Sequence, residues 1–355
     1  MLPEIEAALG LGDATAWLTG AVQLGFIAGT ALMSLTGLAD RFSPRLIFLL
    51  ACGLAAAANL AVLGADGLGG LVAARLVCGA ALAGIYPIGM KIAAGWYRAG
   101  LGAALGWLVG ALVLGTAFPH LLRGLSGDLP WTAVVLSTSG LALLGGVALA
   151  ALVPDGPHLK PSPGLDLRCI AKLWALPAYR ASALGYFGHM WELYTLWALL
   201  PALILTHTAF PPSLTAGAVI AAGALGCIGG GYLSTRTGSA SVARWQLGAS
   251  ALCCLVAPAV WAWAPPGLTL AFLVTWGVTV VGDSPQFSAL TARAADPSLV
   301  GTGLALATTV GFALTIVSLQ VAAAAPLALV SWVLLPGPLL GLIALRGYAR
   351  PHDAS

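Results

Sequence analysis

Eleven apolar runs, each near the length a helix needs to cross hydrocarbon, follow one another along this chain. They fall at about 17–36, 45–64, 71–91, 101–119, 131–152, 181–205, 215–234, 243–264, 268–290, 300–322 and 327–346. Lipid offers the backbone no hydrogen-bond partners, so a run of roughly 20 apolar residues must close its own bonds as an α-helix. Composition agrees. Only 8% of the 355 residues are charged, where soluble domains carry about 25%. The 15 basic and 12 acidic residues cannot coat a water-soluble particle of this size. Disorder, coiled coil and an ordinary soluble enzyme are excluded on that ground. A net charge of +3 gives no reason to expect a nucleic-acid partner.

The cysteines build no framework. Cys52, Cys78, Cys227, Cys253 and Cys254 lie inside apolar runs, Cys169 lies in a polar stretch, and no Cys-x-x-Cys occurs. Neither structural disulfides nor a zinc site is expected. Glu4, Glu6 and Asp13 stand where a signal peptide would carry basic residues, so no signal peptide is expected.

Basic residues mark the cytoplasmic side of membrane proteins. If the first run passes inward, 13 of the 15 lysines and arginines fall in inner connections, with Arg123 outside and Arg75 within a run. The expectation is an integral membrane protein of a bacterial cytoplasmic (inner) membrane with its C-terminus in the cytoplasm. Five spans over 1–153 form an N-terminal bundle. Residues 154–180, with prolines at 154, 157, 161, 163 and 177, read as a cytoplasmic hinge. Six spans over 181–350 form a C-terminal bundle. The halves repeat: aligning Arg41 in Gly37-Leu38-Ala39-Asp40-Arg41 with Arg236 in Gly231-Tyr232-Leu233-Ser234-Thr235-Arg236 superposes the surrounding runs. Parallel repeats of this kind mark transporters built from two similar bundles.

These residues resemble the major facilitator superfamily of secondary transporters. Asp40, Arg41 and Arg45 match its loop motif between helices two and three, and Thr36, Ser43 and Pro44 depart from it. The second copy keeps Gly231, Leu233, Arg236 and Gly238 but has Thr235 in place of the acid. Arg75-Leu76-Val77-Cys78-Gly79 is similar to the family's helix-four motif. The resemblance covers the whole chain and implies an all-α polytopic membrane protein, two pseudo-symmetric helical bundles with about 11 transmembrane helices. Members usually have twelve. Leu2-Pro3-Glu4-Ile5 reads as the outer end of helix one, so the chain is expected to lack that helix, which in the family lines the substrate cavity.

A charge at mid-bilayer costs about 2.5–3.5 kcal/mol, while each leucine returns only about 0.3–0.6 kcal/mol. Acids inside the runs are therefore functional candidates. Glu192 lies twelve residues into its run, and His189 and Gly185 share its face at helical spacing. Such a pair suits proton coupling; the alternative is a tie between neighbouring helices. Asp283 lies in Gly282-Asp283-Ser284-Pro285-Gln286, where Pro285 must break the helix. A broken helix beside an acid suits a binding site, with Gln286 and Thr279 on the same face; the alternatives are a kink with satisfied polar groups and a carboxylate already near the cytoplasmic interface. Arg75 reads either as a cavity charge, as the resemblance implies, or as a side chain reaching for the outer interface. Tyr86 lies three turns further in on a similar face. The resemblance implies that Asp40, Arg41 and Arg45, with Arg236 at the repeat position, latch one conformation. The glycines at 102, 106 and 110, and at 223, 226 and 230, read as close helix packing.

No phosphate loop and no His-Glu-x-x-His occur, so no cofactor is expected and an ATP-driven pump or zinc hydrolase has no motif. The sequence points to a monomeric carrier, not an enzyme, whose partners are a small-molecule solute, protons and the bilayer. It moves its solute by alternating access, as a symporter in the proton-coupled reading. Two other readings stay open: a non-transporting membrane sensor or scaffold of the same fold, and an intramembrane metal-dependent enzyme using His189, Glu192 and Asp283.

Overall fold

Each apolar run becomes helix in the computed structural model, which describes residues 15–126, 130–159 and 168–348. The first spans are α1 (Thr15–Thr36) and α2 (Pro44–Ala61). The third is broken into α3 (Leu68–Leu82) and α4 (Tyr86–Trp96). After α5 (Leu101–Ser126) and α6 (Trp131–Leu152) comes a short helix, α7 (Arg168–Ala175), within the stretch read as a hinge. The remainder is α8 (Pro177–His207), α9 (Pro212–Thr237) and α10 (Ser239–Trp263), then α11 (Pro266–Gly282), α12 (Ser284–Ala294), α13 (Val300–Ala323), α14 (Val330–Leu334) and α15 (Pro336–Leu345).

Among the described residues, nine stretches are long and apolar enough to cross a bilayer, and Gly20–Thr36 is a shorter apolar helix. The longest helix, α8 with 31 residues, is not one of the nine. Arg180, His189 and Glu192 dilute its apolar character. Large apolar side chains are exposed on the outer surfaces, with Leu152 79%, Leu50 73%, Leu205 70% and Leu225 70% accessible. In water such a surface would aggregate; in lipid it is solvated.

The repeat is visible in the breaks. The stretches Leu68–Trp96 and Pro266–Ala294 are both 29 residues long, and their starts and ends are each 198 residues apart. Each is interrupted just before a proline, Pro87 in one and Pro285 in the other. Proline donates no backbone bond and crowds the carbonyl four residues earlier. At the first break the chain tightens to three-residue bonds, Gly84 to the Ala81 carbonyl at 2.9 Å and Ile85 to the Leu82 carbonyl at 3.0 Å. At the second, the carbonyl that Pro285 leaves without a donor, that of Val281, accepts the Cys227 thiol at 3.4 Å.

The chain packs into two compact units. The first comprises Met1–Trp96, Asp128–Ile170 and Asp296–Ala313; the second comprises Tyr97–Gly127, Ala171–Ala295 and Leu314–Ser355. This grouping is distinct from the order of the repeat. In the second unit α5 lies chiefly along α9, and α8 lies along α15. In the first, α1 lies along α3 and α2 along α6. The first half of α13 joins the first unit, where Thr309 donates to Thr30 at 2.9 Å and Phe312 meets Phe26 at 4.3 Å between ring centroids. Its second half joins the second unit, where Ser318 and Thr195 share a hydrogen bond of 2.6 Å.

Two basic residues counted above as markers of sidedness also cap helices. Arg180 Nη1 donates to the last carbonyls of α7, Trp174 at 3.2 Å and Ala175 at 3.3 Å. Arg244 Nη2 donates to the Leu345 carbonyl at the end of α15 at 3.0 Å. Cations at helix C-termini also meet the negative end of the helix dipole. Lys91, read from sequence as part of an inner connection, lies inside α4 and is buried.

Candidate functional site

Glu192 sits in the middle of α8 and is 1% exposed. One oxygen, Oε1, accepts three donors: Ser250 Oγ at 2.6 Å, Trp276 Nε1 at 2.7 Å and Cys254 Sγ at 3.4 Å. Ser250 and Cys254 lie one turn apart on α10, and Trp276 lies on α11. The carboxyl therefore ties three helices of the second unit. Bonds of 2.6–2.7 Å are the length at which a charged acceptor adds to the hydrogen bond, and none of the donors is a cation. A carboxyl in this setting can change its proton without breaking an ion pair.

One turn earlier on α8, His189 turns toward the break between α11 and α12. Its Nδ1 lies 2.7 Å from Asp283 Oδ1, with both side chains fully buried. The approach is not aligned as a hydrogen bond, and His189 Nε2 and Asp283 Oδ2 have no partner among the described residues. Tyr186 stacks on the imidazole at 5.7 Å between centroids and Phe287 approaches it at 6.1 Å. Gly185 shares the face of His189 and Glu192, and the Phe287 ring fills the space that glycine leaves: a Cβ on Gly185 would come 2.4 Å from that ring. Gln286 is also fully buried, and neither end of its carboxamide is hydrogen-bonded among the described residues. The second unit thus gathers Glu192, His189, Asp283 and Gln286 from two helical segments that are distant in sequence.

Arg75 belongs to the first unit, on α3. Its Nη1 donates to Asn59 Oδ1 on α2 at 3.2 Å, and Nη2 is buried with no partner among the described residues. Asn59 Nδ2 in turn donates to Ser139 Oγ at 2.9 Å, Thr138 Oγ1 at 3.1 Å and the Val135 carbonyl at 3.2 Å, all on α6. The guanidinium is thus held against α2 by Asn59. Replacing Asn59 with leucine is expected to leave Arg75 Nη1 without its acceptor, beside an Nη2 that already has no partner among the described residues. The cost is about 1–3 kcal/mol, read as a lower melting temperature of the purified protein. Tyr86 is half-buried at the start of α4.

Around the first loop motif, Ser43 Oγ donates to Asp155 Oδ2 at 2.6 Å, and Arg45 Nε lies 3.9 Å from the same oxygen. Asp155 follows α6, so the acid that this loop meets comes from the start of the connecting stretch. Arg41 and Arg236 are exposed. The side chain of Asp40, residues 160–167 of the hinge, and both ends of the chain (1–14 and 349–355) lie outside the described residues. No three of His, Cys, Asp and Glu converge among the described residues in a way that could hold a metal ion.

Ser250, Cys254, Trp276, Asn59 and Asp155 are not singled out by the sequence. Asn59 and Ser250 stand as isolated polar residues in apolar runs, a signal that could have found them. Cys254 and Trp276 carry none, because each passes for apolar packing.

A family profile described as the Major Facilitator Superfamily matches residues 1–319. No curated protein matches. Among solved structures, the human organic anion transporter MFSD10 (TETRAN) is similar with a TM-score of 0.71 at 16% identity, over 97% of this chain and 88% of that one. A bacterial homologue of the iron transporter ferroportin in its outward-facing state gives 0.73 at 18% identity, over 97% and 93% of the two chains. At these identities the likeness is one of fold.

Proposed function

The chain belongs to the major facilitator superfamily, and from that premise we propose that it is a secondary active carrier. It moves a small solute across the membrane by alternating access and couples that movement to protons. The observation that carries the coupling is the pair of buried acids in the second unit, held without lysine or arginine among the described residues. Glu192 is bound by neutral donors alone, and Asp283 is held against an imidazole. Acids placed in hydrocarbon at an energetic cost are retained where an ion must pass. Glu192 and the His189–Asp283 pair take and release the proton. Arg75 and Tyr86 are the candidate solute-binding residues of the first unit. Asp40, Arg41 and Arg45, with Arg236, latch one conformation, and Asp155 receives Arg45 there. The two bundles over 1–153 and 181–350 turn about the connection at 154–180. The carrier works as a monomer in a bacterial inner membrane with its C-terminus in the cytoplasm.

The organic anions and the iron named for the two similar structures carry opposite charge. The cargo must therefore be sought by experiment. Proteoliposomes holding a pH-sensitive dye are offered a panel of carboxylates, amino acids, sugars and organic cations. The expected result is that one class moves protons with it, and accumulates when a pH gradient is imposed. Accumulation indifferent to the gradient would contradict the coupling.

A further inference from the structure

Three helices of the second unit converge on the first turn of α5. Gly102 is its second residue. A Cβ built there would come 2.4 Å from Ser234 Oγ, 2.7 Å from Gln286 Oε1 and 3.0 Å from Ser239 Oγ. Ser234 lies in the last turn of α9, Ser239 opens α10, and Gln286 lies in the first turn of α12. One turn further along α5, a Cβ on Gly106 would come 2.6 Å from the Cys227 carbonyl, and one on Gly231 would come 3.0 Å from the Gly102 carbonyl. Here α5 and α9 touch backbone to backbone, with no side chain between them.

The polar groups in this seam fare differently. Ser234 Oγ is satisfied by the Gly231 carbonyl at 2.7 Å. Gln286 is not: it is 0% exposed, and both its Nε2 and its Oε1 lack a hydrogen bond among the described residues. A buried amide without partners disfavours the packing that buries it, whereas the same amide in water is satisfied. By chain order α5 belongs to the first repeat and α9, α10 and α12 to the second. This seam is therefore one that alternating access must open on one side of the membrane.

We infer that Gln286 sets the conformational balance of the carrier: its unsatisfied carboxamide, pressed against Gly102, keeps the seated state of α5 from becoming a trap. The inference rests on the alternating-access reading above. When the first turns of α5 lift from α9 and α12, water reaches the carboxamide and the penalty is relieved. The resulting bias favours release without any ligand at this position.

The test is hydrogen–deuterium exchange of the full-length protein in nanodiscs, with no solute added, followed over the backbone amides of residues 100–110. Gln286→Leu and Gln286→Met keep the volume close to that of glutamine and remove the polar atoms. Both are expected to slow exchange in that segment by roughly tenfold, the order set by relieving one buried unsatisfied group. Gln286→Glu buries a costlier group and is expected to speed it. In vesicles the leucine and methionine variants turn over more slowly on whichever panel solute the wild type carries. Exchange that is unchanged or faster in folded Gln286→Leu or Gln286→Met overturns the inference. The transport reading fails separately, if the wild type moves no solute of the panel while the exchange shift is still seen.

Discussion

Replacing Glu192 with glutamine is expected to abolish gradient-driven uptake while exchange of preloaded solute across the membrane survives. The two side chains have nearly the same shape, and the glutamine oxygen can still accept from Ser250 and Trp276. What is lost is a group that can carry a proton. The ties from α8 to α10 and α11 persist, so the variant is expected to fold and to keep exchanging solute. Uptake driven by a pH gradient should fall to the level of protein-free vesicles, while exchange stays within about twofold of wild type, the change expected when a bound state loses no more than a few tenths of a kcal/mol. Glu192→Ala is a harsher change. It leaves the Trp276 N–H buried without an acceptor, which costs about 1–3 kcal/mol, and should lower stability as well as uptake. Wild-type pH dependence in Glu192→Gln would contradict the role given to the carboxyl.

The largest effect on folding is expected at the crossing of α1 and α3. A Cβ on Gly25 would come 2.0 Å from the Leu76 carbonyl, and one on Gly79 would come 2.0 Å from the Val22 carbonyl. Each helix thus presses its backbone into the other at a reciprocal pair of glycines. Lipid supplies no hydrophobic push between helices, so close packing of small residues supplies the attraction. Gly79→Leu forces the axes apart by roughly an ångström or more, against carbon contacts that are optimal near 3.5–4 Å. Overpacking of this kind costs about 3 kcal/mol or more. Folded yield and melting temperature should both fall sharply. Gly145→Ala on α6 is the control, because a Cβ there meets nothing within 4 Å, and it should leave both unchanged. Equal stability of Gly79→Leu and Gly145→Ala would mean that α1 and α3 do not meet in this way.

Much of the fold was legible because the solvent dictates it. A helix that crosses hydrocarbon needs a fixed length of apolar residues, and nine of the eleven runs carry it outright among the described residues. The ends were less legible: the run at 181–205 becomes a helix over Pro177–His207, since polar residues beyond the hydrocarbon continue a helix without a hydropathy signal. Pro285 announced its own break, and the matching interruption before Pro87 follows the same chemistry. The acids and the imidazole were legible as costly residues in the wrong solvent. Their partners were not. That Glu192 would meet Ser250, Cys254 and Trp276, and His189 would meet Asp283, depends on which helix faces which, and helices that are apolar on every side carry no mark of their neighbours. Arg75 is the converse case: its charge stood out, but Asn59, which holds it, looked like one polar residue in an apolar run.

Whether a buried acid exchanges its proton during the cycle can be read by infrared difference spectroscopy on the reconstituted protein as the bath is stepped from alkaline to acidic. The expected result is a protonated-carboxyl carbonyl band that rises in the wild type, shifts in deuterated water, and is missing from Glu192→Gln. A difference spectrum of Glu192→Gln identical to that of the wild type, with its pH-driven solute flux also intact, would show that Glu192 only fastens α8 to α10 and α11.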